Sequence, residues 1–225
     1  MIQFDSVSKR YSQGPDRGYE ALKQISFHVD RGEIIFITGP SGAGKSTLLK
    51  LLTVIERPSQ GQIIVAGQNL NRISNYQIPF YRRNLGVVFQ DHQLLFDRSV
   101  FENVALPLQI TGVHASEIPR RVRAALDKVG LLNKEKSLPV MLSAGEQQRV
   151  GIARAVVNKP AILLADEPTG NLDPALSAEI MKVFQDFNQV GVTVLIATHD
   201  LELVHHLGHR EIMLRQGQLI HGGES

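Results

Sequence analysis

The fold of this chain is decided by the stretch Gly39-Pro40-Ser41-Gly42-Ala43-Gly44-Lys45-Ser46-Thr47, which matches the phosphate-binding pattern G-x-x-x-x-G-K-S/T. Ile34-Ile35-Phe36-Ile37 precedes it and predicts a buried strand, and Leu48-Leu49-Lys50-Leu51-Leu52 follows it and predicts a helix. This order directs backbone N–H groups and the positive end of a helix dipole at one point. The stretch therefore predicts a nucleotide phosphate site that uses every residue from Gly39 to Thr47. The alternative is an ordinary Gly/Ser turn with a surface lysine, and both flanks argue against it.

Composition limits the class of protein. The chain has 225 residues, of which 43% are hydrophobic, enough for a sizeable core. The net charge of +2 is too small to argue for a nucleic-acid partner, and none is expected. The absence of cysteine excludes disulfides and thiolate metal sites. No secretory signal and no apolar run of roughly 20 residues is visible, so any membrane role requires another chain as the anchor.

The apolar pattern predicts an α/β fold in one domain. The predicted strands cover residues 2–6, 25–29, 34–37, 62–67, 85–89, 161–165 and 192–197. The predicted helices cover residues 48–52, 117–129, 142–158 and 179–190. We interpret residues 1–225 as a single nucleotide-binding domain with two lobes. Residues 1–90 and 158–225 form the catalytic core lobe, and residues 91–157 form a helical lobe.

Two carboxylates end the strand predicted at 161–165. Mg²⁺ prefers oxygen ligands, and a carboxylate beside a phosphate loop suits it. Asp166 is expected to hold the metal together with the hydroxyl of Ser46. Glu167 follows on the opposite side of the backbone and could orient or deprotonate an attacking water. Taken alone, the pair could also be a solvated strand end.

A second helix start is predicted at Ser143. The pair Ser143 and Glu146 matches a capping box, and a capped helix start that contains Gly145 is also a possible anion site. Capping could equally be its only role. Two anion-binding helix starts, about a hundred residues apart, suggest that two chains share one nucleotide.

The order of these motifs resembles the ATP-binding-cassette (ABC) ATPases over nearly the whole chain. The further matching segments are Gln90 as the Q-loop glutamine, Leu142–Gln147 as the signature, Ala161–Glu167 as the Walker B strand, Gly170–Asp173 as the D-loop and His199 as the switch histidine. The resemblance implies a P-loop NTPase of ABC type. Such a fold has a RecA-like parallel-sheet core, an N-terminal antiparallel β subdomain and an inserted α-helical subdomain.

The resemblance also implies a homodimer that holds two ATP molecules and hydrolyses them with Mg²⁺. The implied catalytic residues are Lys45, Gln90, Glu167 and His199, and the implied metal ligands are Ser46, Gln90 and Asp166. The implied contacts from the second chain are Ser143 and Gly145, and Glu146 and Asp173 are further implied nucleotide-binding residues. Tyr11 is expected to stack on adenine, with Tyr19 as the competing choice.

Three segments narrow the resemblance to the family of bacterial cell-division ATPases called FtsE. They are Phe89–Arg98, Gly151–Val157 and Ile55–Pro58. That family implies an integral membrane partner resembling FtsX, a location at the cytoplasmic face of the inner membrane, and control of septal cell-wall hydrolysis. A lipoprotein-release or macrolide-export ATPase is the alternative within the subgroup. Soluble repair and translation cassettes fit poorly, because this chain lacks their long insertion or second cassette.

Two points stay open at the level of sequence. Ala144 stands where the family signature usually has its first glycine, and an ATP-sensing module with little turnover is therefore a further alternative. Candidate residues for the contact with the membrane partner follow Gln90, although they could equally form the core of the helical lobe. These residues are Leu94, Leu95, Phe96, Val100 and Phe101.

Overall fold

The computed structural model describes residues 1–12, 18–170 and 172–222. Asn171 of the predicted D-loop lies outside these ranges. The strands within them are β1 (Ile2–Ser12), β2 (Gly18–Val29), β3 (Ile34–Thr38), β4 (Gln60–Val65), β5 (Gln68–Asn69), β6 (Leu85–Val88), β7 (Ile162–Asp166), β8 (Thr193–Thr198), β9 (Arg210–Arg215) and β10 (Gln218–His221). The α-helices are α1 (Lys45–Leu52), α2 (Ile78–Arg82), α3 (Val100–Ile110), α4 (Ile118–Lys128), α5 (Ala144–Val156), α6 (Pro174–Gln189) and α7 (Leu201–Leu207).

The chain forms two compact units. The first comprises Met1–Pro79 and the chain from Thr193 onward, and the second is Phe80–Val192. The first unit contains an antiparallel sheet in the order β2-β1-β4-β5, and a second set of strands in the order β10-β9-β3-β8. β3 is parallel to both β8 and β9. Every residue of β3 and β8 is buried, which explains their continuous apolar sequence.

Helix α1 follows β3 directly in the first unit. Its buried residues include Leu48, Leu51 and Leu52, and it contacts β2 and β8. The apolar side of the helix is thus fixed against strands, while its first turn carries the polar end of the phosphate loop. This packing sets the direction in which the N-terminus of α1 points.

The second unit combines two strands with a group of helices. β6 and β7 pair in parallel, and α5 packs on β6. Helices α3, α4 and α5 pack against one another through the buried residues Val104, Leu108, Val122, Leu126 and Val150. The expected division into lobes at residues 91 and 157 stays a prediction.

Several elements differ from those predicted by periodicity. α6 begins at Pro174 rather than 179, because Asp173 caps it and its side chain accepts a hydrogen bond from the backbone N–H of Leu176. β6 ends at Val88, so Gln90 lies in the following turn and does not end the strand. Helices α2, α3 and α7 and strands β9 and β10 had no specific prediction. In the described part of the chain, no helix combines the length and apolarity needed to cross a bilayer.

Candidate functional site

The phosphate loop lies between β3 and α1 in the first unit. Gly44 is the N-cap of α1 with a φ of 112°, and a Cβ at this position would approach the carbonyl oxygen of Ala21 to 2.7 Å. Only glycine fits there. No side chain caps α1, whereas serine or aspartate side chains cap α3, α5, α6 and α7. The start of α1 therefore offers backbone N–H groups and a positive dipole end to an anion.

Lys45 is buried within this loop. Its Nζ donates hydrogen bonds to the carbonyl oxygens of Gly39, at 2.7 Å, and Pro40, at 3.4 Å. The ammonium group is thus held on the inner side of the turn, while Ser41, Gly42 and Ser46 are exposed. A cation next to the unbonded backbone N–H groups of a helix start is an arrangement that binds phosphates.

A cavity of about 290 Å³ opens beside the loop. Its lining residues are Tyr19, Glu20, Lys23, Pro40, Ser41, Gly42, Ala43 and Gln216. The hydroxyl of Tyr19 donates a hydrogen bond to the carbonyl oxygen of Gly42 at 3.1 Å. Lys23 and Gln216 were not predicted, because neither belongs to a local motif. The cavity combines an aromatic side chain with the exposed rim of the phosphate loop.

Tyr11 lies next to Tyr19 on the neighbouring strand. The two tyrosines are direct partners across the β1–β2 pair, so they share one face of the sheet. The Nζ of Lys9 lies 4.9 Å from the ring centroid of Tyr11, and the same ammonium forms a 2.6 Å ion pair with Glu56. Both candidate adenine platforms are therefore close together, and only Tyr19 lines the described cavity.

His199 follows β8 in the first unit. β3 and β8 are in parallel register with Thr38 opposite Thr198, so Gly39 and His199 leave the sheet at the same edge. The hydroxyl of Thr198 accepts a hydrogen bond from the backbone N–H of Asp200 at 3.1 Å, which shapes the turn at the histidine. The register thus brings an exposed imidazole to the edge from which the phosphate loop starts.

The two carboxylates of the second unit end β7. Asp166 is the last residue of the strand and is partly buried. Glu167 has a φ of 49°, a left-handed conformation that costs a residue with a side chain of order 1–3 kcal/mol. Its carbonyl oxygen accepts a hydrogen bond from the N–H of Gly170 at 3.2 Å. The backbone thus turns sharply between the two carboxylates.

The predicted capping box at the start of α5 is present. The Ser143 hydroxyl accepts a hydrogen bond from the N–H of Glu146, and the Glu146 carboxylate accepts one from the N–H of Ser143 at 2.8 Å. The backbone hydrogen bond to Ser143 lowers the pKa of Glu146, and Lys134 adds to that shift. Ser143 and Ala144 are exposed. The helix start therefore faces solvent with its polar groups ordered.

Gly145, unlike its two predecessors, is buried against α6. A Cβ at this position would approach Cδ2 of Leu176 to 2.1 Å. Further along the same two helices, Arg149 and Glu179 form an ion pair at 3.1 Å. The signature segment and the helix capped by Asp173 are therefore in direct contact within the second unit. Leu176 carries no sequence motif, and only the packing identifies it.

The segment after Gln90 is fixed by a buried asparagine. The Asn103 amide donates to the carbonyl oxygens of Leu95, Arg98 and Ser99 and accepts from the N–H of Leu95 at 2.8 Å. Gln90 is exposed. The hydrogen bonds of Asn103 hold this irregular segment in one conformation.

The five apolar candidates of this segment fall into different classes. Leu94 and Val100 are 6% and 0% exposed, so these two belong to the core and their assignment to a partner contact is corrected. Leu95 and Phe96 are 37% and 56% exposed, and Phe101 is intermediate. The exposed pair is the part that a partner could reach.

The residues present fit a magnesium nucleotide. The uncapped start of α1 and the buried Lys45 suit phosphate oxygens. The hydroxyl of Ser46, the amide of Gln90 and the carboxylate of Asp166 are hard oxygen ligands of the kind that Mg²⁺ takes with phosphates. The first unit holds the phosphate loop, the tyrosines and His199. The second holds Gln90, the signature segment, Asp166, Glu167 and Asp173.

Known proteins resemble this chain in sequence and in structure. A family model described as ABC transporter matches residues 22–170. The chain is 58% identical over 223 residues to the cell division ATP-binding protein FtsE of Escherichia coli strain K12, which covers 99% of this chain and 98% of the relative.

Two solved structures of one cassette are similar over the whole fold. The dimeric structure of MJ0796, a bacterial ABC transporter cassette, has a TM-score of 0.90 at 33% identity and covers 98% of this chain and 97% of that one. A post-hydrolysis state of MJ0796 bound to ADP and Pi has a TM-score of 0.90 at 32% identity, with the same coverage. The chain therefore belongs to the ABC transporter family, as an ATPase with the P-loop NTPase fold of the ABC cassettes.

Proposed function

We propose that the chain is the ATP-hydrolysing subunit of a membrane ABC complex in bacterial cell division. It acts as a homodimer that binds two ATP molecules and drives an integral membrane partner resembling FtsX, through which septal cell-wall hydrolysis is activated. The observation that carries this proposal is the 58% identity, over nearly the full length of both chains, to a cell division ATP-binding protein. The chain would then lie at the cytoplasmic face of the inner membrane, held there by its partner.

Nucleotide binding follows from the chemistry of the loop. Lys45 and the backbone N–H groups from Gly39 to Thr47 neutralise and orient the β- and γ-phosphates. A tyrosine stacks on adenine, with Tyr11 as the expected residue. Tyr19, which hydrogen-bonds the loop, braces Gly42. Binding thus requires both the charge of Lys45 and the backbone geometry that the glycines make possible.

Hydrolysis is assigned to polar residues of both units. Ser46, Gln90 and Asp166 would hold Mg²⁺, which supplies charge neutralisation on the phosphates when bound. Glu167 accepts a proton from the attacking water, and His199 donates a hydrogen bond to the γ-phosphate. Gln90 orients the water through its side-chain amide.

The homodimer provides the remaining contacts. Ser143, Gly145 and Glu146 form a capped helix start that would face the γ-phosphate bound to the other chain, and Asp173 would lie at the same interface. ADP lacks the group that the second chain contacts. ATP can therefore favour the closed dimer only through its higher affinity for that state.

Movement would reach the membrane partner through the segment after Gln90. Leu95 and Phe96 are exposed apolar side chains on a segment that Asn103 holds in place. Exposed aromatic and aliphatic residues on an ordered segment suit a contact with a partner of matching apolar surface.

The catalytic part is tested with Glu167→Gln. Removal of the base should lower kcat for ATP at least about 100-fold, because general base catalysis contributes that much, while ATP affinity stays near that of the wild type. Lys45→Ala should instead abolish nucleotide binding. Steady-state phosphate release and equilibrium binding of a fluorescent ATP analogue measure the two effects. Turnover of Glu167→Gln at the wild-type rate would remove Glu167 from the role of base.

The cellular part is tested by identifying the membrane subunit. The tagged full-length chain is purified from detergent-solubilised bacterial membranes, and the bound integral protein is identified by mass spectrometry. We expect a protein resembling FtsX, with less of it bound to a Leu95→Ser, Phe96→Ser double variant. Recovery of a lipoprotein-release or macrolide-export subunit instead would reject the role in cell division and leave the ATPase assignment intact.

A further inference from the structure

The segment that begins at Gln90 contains a strained turn. His92 and Gln93 have φ values of 54° and 47°, and both are left-handed although neither is a glycine. Two such residues in succession are unfavourable unless the surroundings hold them in place. The turn therefore depends on contacts from another element.

Arg154 of α5 provides those contacts. Its guanidinium donates hydrogen bonds to the carbonyl oxygen of His92 at 2.6 Å and to that of Gln93 at 2.7 Å. Burial lowers the pKa of Arg154. In the part of the chain that the structure describes, this guanidinium forms no ion pair with a carboxylate. Its charge is therefore directed at the backbone of the turn.

A second contact between the turn and α5 is incomplete. Gln148 is 2% exposed, and among the described residues neither of its amide atoms has a hydrogen-bond partner. The buried Nδ1 of His92 also lacks one within those residues. Burial lowers the pKa of His92, and the nearby Gln148 amide opposes that shift. Gln148 and His92 are therefore buried polar neighbours where the turn meets α5.

All of these contacts converge on one helix. Ser143 caps α5, Gln148 lies in its middle and Arg154 lies in its last turn. A helix transmits a displacement of one end to the other, because its backbone hydrogen bonds make it rigid. A shift of the turn at His92 would therefore displace Ser143 as well.

We propose that Arg154 is a positioning residue that ties the Gln90 segment to the signature helix. Its planar fork holds two successive carbonyl oxygens, so Gln90 and the capped start of α5 change position together. The inference rests on the proposed role of Gln90 at the γ-phosphate and metal, and it assigns a function to a residue outside the ATP-binding motifs. Lysine could hold one carbonyl oxygen firmly but could not match the fork.

The test uses the full-length chain with Arg154→Met and Arg154→Lys. Arg121→Met is the matched control, because it removes an arginine of the same unit that binds Glu117 on its own helix. Gln90→Ala and the double variant Gln90→Ala, Arg154→Met complete the set. The measurements are kcat and KM for ATP, ADP affinity, thermal unfolding, and hydrogen exchange of residues 91–98.

We expect Arg154→Met to lower kcat about tenfold or more while KM and ADP affinity stay within about twofold, since Arg154 binds the backbone of the turn at His92 and Gln93 and not the phosphate loop. Arg154→Lys should recover part of the loss, and Arg121→Met should match the wild type. Hydrogen exchange of residues 91–98 should be faster in Arg154→Met. The double variant should be no slower than Gln90→Ala, because the arginine acts through the same segment.

The opposite results would overturn the inference. The first is a kcat of Arg154→Met equal to that of the control, and the second is a loss of kcat in the double variant equal to the product of the two single losses. The third is failure of both Arg154 variants to fold, which would make the role of Arg154 purely structural. If Gln90→Ala itself hydrolyses ATP at the wild-type rate, the proposed role of Gln90 fails as well. If Gln90→Ala is slow and Arg154→Met is not, only the inference about Arg154 fails.

Discussion

At the scale of single residues, Gly145 lies at a close contact between α5 and α6. Its missing Cβ leaves room for Leu176, whose backbone N–H is also the donor to the Asp173 cap. Ala144 lies one position earlier and is exposed, so its methyl group meets solvent and not α6. Packing against α6 thus limits the size of the residue at position 145. At position 144 the limit comes from whatever molecule faces the start of α5.

Gly145→Ala should lower the free energy of unfolding by about 1 kcal/mol, because the Leu176 side chain must turn away from the added methyl group and the gain in helix propensity offsets part of that cost. Ala144→Gly is the control, with a loss of at most about 1 kcal/mol from helix propensity. Urea unfolding measures both. Leu176→Ala in the Gly145→Ala background should recover part of the loss, and purely additive losses would contradict the packing explanation.

The apolar residues after Gln90 show what residue type alone could not predict. Leu94 and Leu95 are chemically identical neighbours, yet one is buried and the other exposed. The difference arises because Asn103 fixes the segment in an irregular conformation that has no period. The phosphate loop could be predicted because its chemistry is local. Arg154 could not, because its backbone partners lie 61 and 62 residues away, and Asn103 could not, because it binds an irregular segment that has no sequence period.

At the scale of elements, capping boxes start two helices of the second unit. Ser99 and Glu102 begin α3, just as Ser143 and Glu146 begin α5. The Ser99 hydroxyl hydrogen bond is the main cause of the lowered pKa of Glu102. The same local chemistry therefore begins both helices.

Ser99→Ala should cost about 1 kcal/mol of stability, since it removes a helix cap, and should lower the midpoint of thermal unfolding by about 2–4 °C. Ser99→Thr keeps the hydroxyl and should retain most of the stability. Because the pKa of Glu102 is lowered in the folded state, its contribution is present at neutral pH and is lost as the pH falls through that value. The difference in stability between the wild type and Ser99→Ala should therefore become smaller in acid, where the hydrogen bond from Ser99 to the Glu102 carboxylate is lost and the one from the Glu102 N–H remains. A difference that stays constant with pH would contradict this account.

Elements with one clear physical signal were predictable. β3 and β8 are buried on both faces, and their continuous apolar runs identified them. α4 has one apolar side and was identified by its helical period. α3 contains Pro107, and within the residues that the structure describes β10 pairs only with β9, so their sequences lack such a signal, and tertiary contacts determine them.

At the scale of the whole molecule, the start of α1 and the start of α5 belong to different compact units. Each helix start is suited to binding an anion. In the proposed function, the start of α1 in one chain and the start of α5 in the other contact the same nucleotide. The chain contains no cysteine, so introduced thiols are the sole reactive ones. The proposed pairing of subunits can therefore be tested by thiol crosslinking, with no background from native cysteines.

Ser41→Cys on one chain should crosslink to Ser143→Cys on another when both carry Glu167→Gln and ATP is saturating, because the γ-phosphate would draw the two positions together. ADP should give little product. Ser41→Cys mixed with Ser116→Cys, an exposed serine outside the signature, is the matched control. Denaturing electrophoresis measures the species of doubled mass. Equal yields with ATP and ADP, or with the control pair, would rule out the shared-nucleotide dimer.

The register between Thr38 and Thr198 has a consequence for how this chain could vary. The position of His199 along the strand direction, relative to the phosphate loop, is fixed by the hydrogen bonds between β3 and β8. The number of residues between these two strands does not affect it. Insertions or deletions in the intervening sequence can accumulate without displacing the histidine, provided that both strands keep their pairing. Because the pairing of two strands that are distant in sequence fixes these positions, the residues between the strands can change and bind new partners. The phosphate loop and His199 keep their positions.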